Sequence, residues 1–346
     1  MTDTKSIFTP GAVMAAAPDA IRQAIGEQVE CPHPLADGLT LRQIAYAAGS
    51  RVRPPSENEI DISVMGRGMQ SSEFSAVLAD GYRTITRASY DSHAADHLNF
   101  STVMEVSDFK PVEMVSLDDD GLELEKLGEN GRVTHGTAFM ASVHQSVRLT
   151  TYAKAVLVSR QAIVNDQASA IAQSFTAVGV SAGRIESRLV TAALENPPPL
   201  ADGLPVFGPE HVNVVEQSLS ASALGAGMAA LRTQPTATGQ RSGLSAIHIV
   251  TSPELEFEAR RLIRDAGLDL RVSVLADLPA HRWYLLADSA ACPAVALLRL
   301  YGTRHPIRVE QRRTPVEMDG TLVQVTADLG ACILRRTGIV RGGIAA

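Results

Sequence analysis

An α+β fold is predicted for this chain of 346 residues. Three observations carry the prediction. One narrow apolar stripe at helical spacing runs through residues 166–196, strand-like alternation fills residues 100–159, and helical and strand patterns interleave beyond Pro199. A helix period and a strand period occupy separate stretches first and mix later, so the sheet cannot be a simple repeat of one unit.

Taken in order, residues 1–70 are punctuated by Pro10, Pro18, Pro32, Pro34, Pro54 and Pro55, with short helical patterns near residues 19–29 and 40–48. Such punctuation predicts an arm that adds no core. Ser71 or Ser72 then caps a helix carrying Phe74, Val77, Leu78, Tyr82 and Ile85 and running towards Ala95. Strands follow at Val103–Met104–Val106, Val112–Met114–Val115 and Leu122–Leu124, and alternation resumes at Val133 after the turn Gly128-Glu129-Asn130-Gly131. Asn-Gly between alternating stretches predicts a hairpin, and a two-stranded ribbon needs a further surface to lie on.

Between residues 166 and 196, Ile171, Phe175, Val178, Ala182, Ile185, Leu189 and Ala192 step by four and three alternately. The expected helix spans roughly 45 Å, stops at Pro197-Pro198-Pro199, and places Leu189 inward and Glu186 on the opposite, solvent face. Beyond it come a helix at residues 220–233, a strand at 246–250, a helix at 253–266 opened by Ser252, and strands at 271–275, 283–287, 294–301, 307–311, 322–327 and 331–335. The last of these are expected to pair with the middle of the chain.

Composition narrows the function. Lys and Arg number 31 against 38 Asp and Glu, a net charge of −7, which argues against a protein that lives on phosphate neutralisation. Aromatic residues make up 4% and Trp283 is the single tryptophan, so stacking platforms have few side chains to use. Cys31, Cys292 and Cys332 are odd in number and far apart, against a disulfide framework and for a reducing place of synthesis. The amino terminus makes a poor secretion signal, and the best uncharged run, residues 167–183, is too rich in Ser, Gln and Thr for a bilayer. A soluble chain made in the cytoplasm is expected.

Four constellations could hold chemistry. Gly179-Val180-Ser181-Ala182-Gly183 matches a nucleophile elbow, with Asp288 and His305 in hydrolase order, but the helical stripe runs straight through it. Cys31-Pro32-His33 is half a metal site without its other half. Asp118-Asp119-Asp120-Gly121 lacks the alternation and closing Glu of a calcium loop. His93 and His97 stand one helical turn apart, yet Ala94 takes the place of the catalytic Glu. The clusters Arg260-Arg261-Arg264, Arg312-Arg313 and Arg335-Arg336-Arg341 are expected to be solvated or interfacial. No catalytic, cofactor or metal site is therefore predicted.

The order of parts carries more than any motif. Residues 67–74 (Arg67-Gly68-Met69-Gln70 onward), 157–166 (Leu157-Val158-Ser159-Arg160 onward), 206–213 (Val206-Phe207-Gly208-Pro209-Glu210-His211-Val212-Asn213), 283–288 and 316–331 match in sequence order. In these stretches the chain resembles the Mu-like, gpT-type major head subunit of tailed bacteriophages, with the Hong Kong 97-type capsid fold, over Arg67 to Gly338. The resemblance implies an amino-terminal arm (1–70), an arm helix with first peripheral strands (71–116), an extended loop (117–147), a peripheral domain (148–220) with its spine helix (166–196), an axial domain (221–310) and a return to the peripheral domain (311–346).

It further implies a major capsid protein that self-assembles, as pentamers and hexamers, into an icosahedral shell around double-stranded DNA. Its partners would be copies of itself, a scaffold or prohead protease, a portal and loosely held DNA, with no membrane, and its place the virion after assembly in the host cytoplasm. Lys126, Glu129, Asn130 and Arg132 would then contact a neighbouring subunit, and Ile171, Phe175, Val178, Ile185 and Leu189 would pack the spine. A tail or baseplate protein, or a serine hydrolase using Ser181, are the rival readings.

Overall fold

A computed structural model describes residues 9–50, 60–118, 139–200, 203–236, 239–312 and 319–343. They form two compact units, each assembled from three stretches of chain: residues 1–93, 151–183 and 304–328 in one, residues 94–150, 184–303 and 329–346 in the other.

The first unit starts with helix α1 (Pro10–Ala24), capped by the Thr9 hydroxyl, which accepts from the Ala12 N–H at 3.2 Å. Its start lies well before the predicted residue 19 because Pro10 takes the first helical position, where a missing N–H costs nothing. Helix α2 (Leu41–Gly49) opens with a reciprocal capping box between Thr40 and Gln43, and helix α3 (Ile62–Met69) is capped by Asp61. A Cβ on Gly68 would stand 1.8 Å from the Ala45 carbonyl oxygen and one on Gly49 2.2 Å from that of Val64, so α2 and α3 touch backbone to backbone.

Val13, Ala16, Ile21, Ile44, Met65 and Met69 are all buried. The expectation that this stretch adds no core is therefore corrected: prolines mark its connections, while alanine- and methionine-rich turns between them supply apolar faces. Helix α4 (Ser72–Leu98) packs Phe74, Leu78 and Tyr82 into the same unit. Strand β4 (Thr150–Ser159), helix α5 (Arg160–Val164) and the first half of helix α6 (Ala168–Glu195) complete it with strand β10 (Ile307–Arg312) and the start of β11 (Gly320–Ile333). β10 and β11 are antiparallel neighbours, and β4 also pairs with β11. What reads as two strands at residues 322–327 and 331–335 is one strand of 14 residues.

The second unit holds β1 (Thr102–Val106), parallel to β9 (Val295–Leu300), which is antiparallel to the end of β11. Its other sheet runs β5 (Val214–Val215), β12 (Ile339–Gly342), β8 (Trp283–Leu286), β6 (His248–Thr251), β7 (Arg271–Val274). Helices α7 (Ala221–Thr233) and α8 (Glu256–Asp265) supply Leu224, Leu231, Ala259 and Ile263 to a core with Trp283 and Leu285, while Tyr284 and Leu286 join Val190 and Leu194 of α6 in a second core. Alternate residues of β8 thus bury both faces, which is why it reads as an unbroken apolar run. β12 escapes sequence reading because it is four residues long and ends in Gly342, where a Cβ would meet the Trp283 indole at 2.0 Å.

Strands β2 (Val112–Asp118) and β3 (Phe139–Val147) form a separate antiparallel ribbon. The predicted turn at Gly128–Gly131 lies outside the described residues, with Lys126, Glu129, Asn130 and Arg132.

Candidate assembly surface

The constellations weighed for catalysis do not converge. Ser181 lies exposed inside α6, so it has neither a strand before it nor a sharp turn to present its hydroxyl. His305 faces Asp91 at 3.3 Å and packs edge-on against Tyr90, and the Asp288 carboxylate accepts from the Ala290 N–H. Burial holds the His305 imidazole below its usual pKa. No group of three or more His, Cys, Asp or Glu among the described residues could hold a metal. His93 is exposed while His97 is buried, and the two make separate contacts. Cys31 is exposed; Cys292 and Cys332 are buried, and burial pushes the Cys332 thiol up to about 12. Arg336 donates to the carbonyls of Leu204 and Pro205, and Arg341 lies over the Phe207 ring at 4.7 Å, so these two serve the fold's interior. No helix among the described residues is long and apolar enough to cross a membrane.

The pentapeptide around Ser181 has a packing role. A Cβ on Gly179 would stand 2.3 Å from the Thr86 carbonyl oxygen, and one on Gly183 2.9 Å from the His93 Cβ. Two glycines four apart let α6 lie directly on the backbone of α4, which repays their cost in helix propensity. One turn earlier, Phe175 stacks on Tyr82 with centroids 4.8 Å apart, and the Tyr82 hydroxyl donates to the Ala168 carbonyl. Burial raises the Tyr82 pKa. At the α5–α6 junction Asp166 adopts φ 51°, a left-handed conformation that Asp tolerates, and its carboxylate accepts from the Leu41 N–H at 2.8 Å.

Ile171 and Phe175 are buried, whereas Val178, Ile185 and Leu189 are half-buried. Glu186, expected on the solvent face, is fully buried, a correction to the sequence reading. Arg299 approaches both of its oxygens, at 3.1 and 3.3 Å, and His97 Nε2 lies 2.9 Å from Oε2. Nine residues on, Glu195 accepts from the Tyr284 hydroxyl at 2.6 Å and pairs with Arg282 at 3.3 Å. Burial first, then the Glu195 charge, raises the Tyr284 pKa.

The stretch 206–213 is held by buried Asn213, whose side chain accepts from the Gly208 N–H and donates to the Val206 carbonyl. Val212 sits at φ 51°, a strained setting for a β-branched residue. None of this gathers reactive groups around a cavity. The geometry instead builds one long helix, fastened differently in its two halves, and leaves strand β4 and the outer face of α8 largely exposed.

A family model described as phage capsid protein matches residues 144–342. No curated protein matches. Among solved structures, the capsid of an empty GTA particle superposes with a TM-score of 0.50 at 12% identity, covering 73% of this chain and 90% of that one. A virus-like particle from Pyrococcus furiosus gives 0.46 at 14% identity over 75% and 96% of the two chains. The holo-SrpI encapsulin complex from Synechococcus elongatus gives 0.48 at 10% identity over 71% and 86%.

Proposed function

Since this chain belongs to the phage capsid protein family, whose model spans residues 144–342, we infer its working parts from the shell that it builds. It is a major capsid protein of the Hong Kong 97-type fold, a structural protein of the virion shell, and it self-assembles as pentamers and hexamers. The family match carries this reading, and the likeness to the capsid of the GTA particle supports the fold.

Several finer parts are proposed with it. The five matching stretches support a Mu-like head subunit. Residues 1–70 act as an amino-terminal arm, 71–116 as arm helix and first peripheral strands, 117–147 as extended loop, 148–220 as peripheral domain, 221–310 as axial domain, and 311–346 as the return. Lys126, Glu129, Asn130 and Arg132 of the loop contact a neighbouring subunit. A scaffold or prohead protease, a portal and weakly held DNA are the further partners, and assembly takes place in the host cytoplasm. The net charge of −7 suits DNA that must slide out of the shell.

Electron microscopy of the purified chain, alone or with its own scaffold and protease, tests the shell directly: closed particles are expected, and tubes or open rings would favour a tail or baseplate protein. Replacing residues 120–135 by a short Gly-Ser turn tests the loop. Closing a shorter loop is entropically cheap, so the subunit should stay folded and soluble but form no closed particles. Normal particles from this variant would remove the loop from the interface.

A further inference from the structure

A protease is among the partners proposed above, so where this chain can lose a piece matters. Cutting needs a locally open stretch of backbone, which loop tips supply far more readily than packed helices. Helices α1 and α2 are packed, and their partners all lie in the first unit. Val13, Ala16, Ala17 and Ile44 are wholly buried. A Cβ on Gly81 of α4 would stand 2.8 Å from Ile21 Cγ2, so α1 lies close against α4, and Arg22 reaches Asp80 of α4 at 3.7 Å. Helix α3 lies on the backbone of α2 at Gly68 and is itself tied to β11, where the buried Thr321 hydroxyl donates to the Met69 carbonyl.

The strongest tie runs to the start of α6. Across 125 positions of sequence the Asp166 carboxylate accepts from the Leu41 N–H at 2.8 Å, at the N-terminus of α2, where a negative charge is favoured. Asp166 reaches that helix end from a left-handed backbone, φ 51°, which few residue types accept. Tyr82 of α4 donates to the Ala168 carbonyl one turn away, so α2 and α4 both hold the turn from which α6 departs. Loss of residues 10–49 would bare α4 at Gly81 and α3 at Gly68 and leave Asp166 without its partner. We propose that α1 and α2 are a permanent clamp on the α5–α6 turn, kept in the mature shell, and that any maturation cut which removes chain from this end lies ahead of Thr9. The inference rests on the shell-forming reading above and adds the limit of processing.

Two measurements test it. In DNA-filled particles dissolved for mass spectrometry, peptides from residues 10–49 should be recovered in equal molar amount with peptides from α6; particles that lack them would overturn the clamp and leave the shell intact. On the free full-length subunit, proteinase K should spare residues 10–49 for as long as it spares α6. Asp166→Gly keeps the left-handed backbone accessible but removes the carboxylate, so cutting within residues 10–49 should quicken about tenfold, as loss of a charge-assisted hydrogen bond implies, while α6 is cut at the wild-type rate. Residues 10–49 lost from the wild type well before α6, or equal cutting of the arm in Asp166→Gly and wild type, would overturn the clamp. A wild type that forms no particles would overturn the shell alone, since digestion of the free subunit still reads the clamp.

Discussion

The two halves of helix α6 are fastened by opposite means. From Ala168 to Gly183 the helix is held by shape: Phe175 stacked on Tyr82, and Gly179 and Gly183 laid on the backbone of α4. From Arg184 to Glu195 it is held by charge, with Glu186 between Arg299 and His97 and Glu195 between Tyr284 and Arg282. The first arrangement tolerates no added volume, and the second tolerates no lost partner. A buried ion pair is also a poor source of net stability compared with apolar packing, but it fixes one register strictly.

The largest effect is expected where charge is removed. Glu186→Gln takes away the buried charge that faces the Arg299 guanidinium and His97 and should cost about 3–5 kcal/mol, whereas Leu189→Asp, at a half-buried position, should cost less. Denaturant midpoints of the two variants decide the matter, and the reverse order would restore the heptad reading of the helix.

Next comes volume. Gly179→Ala must push the Thr86 carbonyl away and should cost about 1–3 kcal/mol despite better helix propensity. Gly225→Ala in α7 meets nothing within 4 Å, so thermal unfolding should show it stabilised by up to about 1 kcal/mol. If both alanines act alike, the close approach of α4 and α6 is not what the glycines serve.

A smaller effect concerns pH. Burial lowers the pKa of His305 and of His248, so the unfolded chain binds protons more readily than the folded one. Stability from these groups is complete above the unfolded value of about 6.5 and is lost as pH falls through the folded values. Unfolding free energy measured between neutral and mildly acid pH should fall, with a shallower slope in His305→Gln. The smallest change is Ser181→Ala on the exposed face of α6, which should leave stability within about 0.5 kcal/mol and leave particle yield intact. Ester hydrolysis that depends on Ser181 would break the structural assignment.

Much of the fold was legible. The starts of α4, α7 and β8 sit at or within a residue of their predicted positions, because caps and unbroken apolar runs are local signals. The same holds for the hard stop at Pro197. The site fared less well. Exposure of Phe257 could not be read, since an apolar residue beside three acids looks the same whether it points in or out. The role of the Gly179–Gly183 pair was hidden behind a hydrolase-like pentapeptide, for small residues at helical spacing say nothing of what lies across from them.

Sequence by itself determined where the long helix lies, that Pro197 ends it, and that it has one buried side. Only the tertiary structure decided which side. Read as steps of four and three, the stripe has a period of 3.5 and passes through Leu189; a straight helix has 3.6 residues per turn and drifts about 20° per heptad from that line. The buried line accordingly runs through Ile171, Phe175, Gly179, Ala182, Glu186, Val190 and Ala193. Glu186 is on it because Arg299 and His97, brought from 113 and 89 positions away in sequence, supply the donors that make burying a carboxylate possible. Partners that distant are set by the fold alone, and no local pattern encodes them.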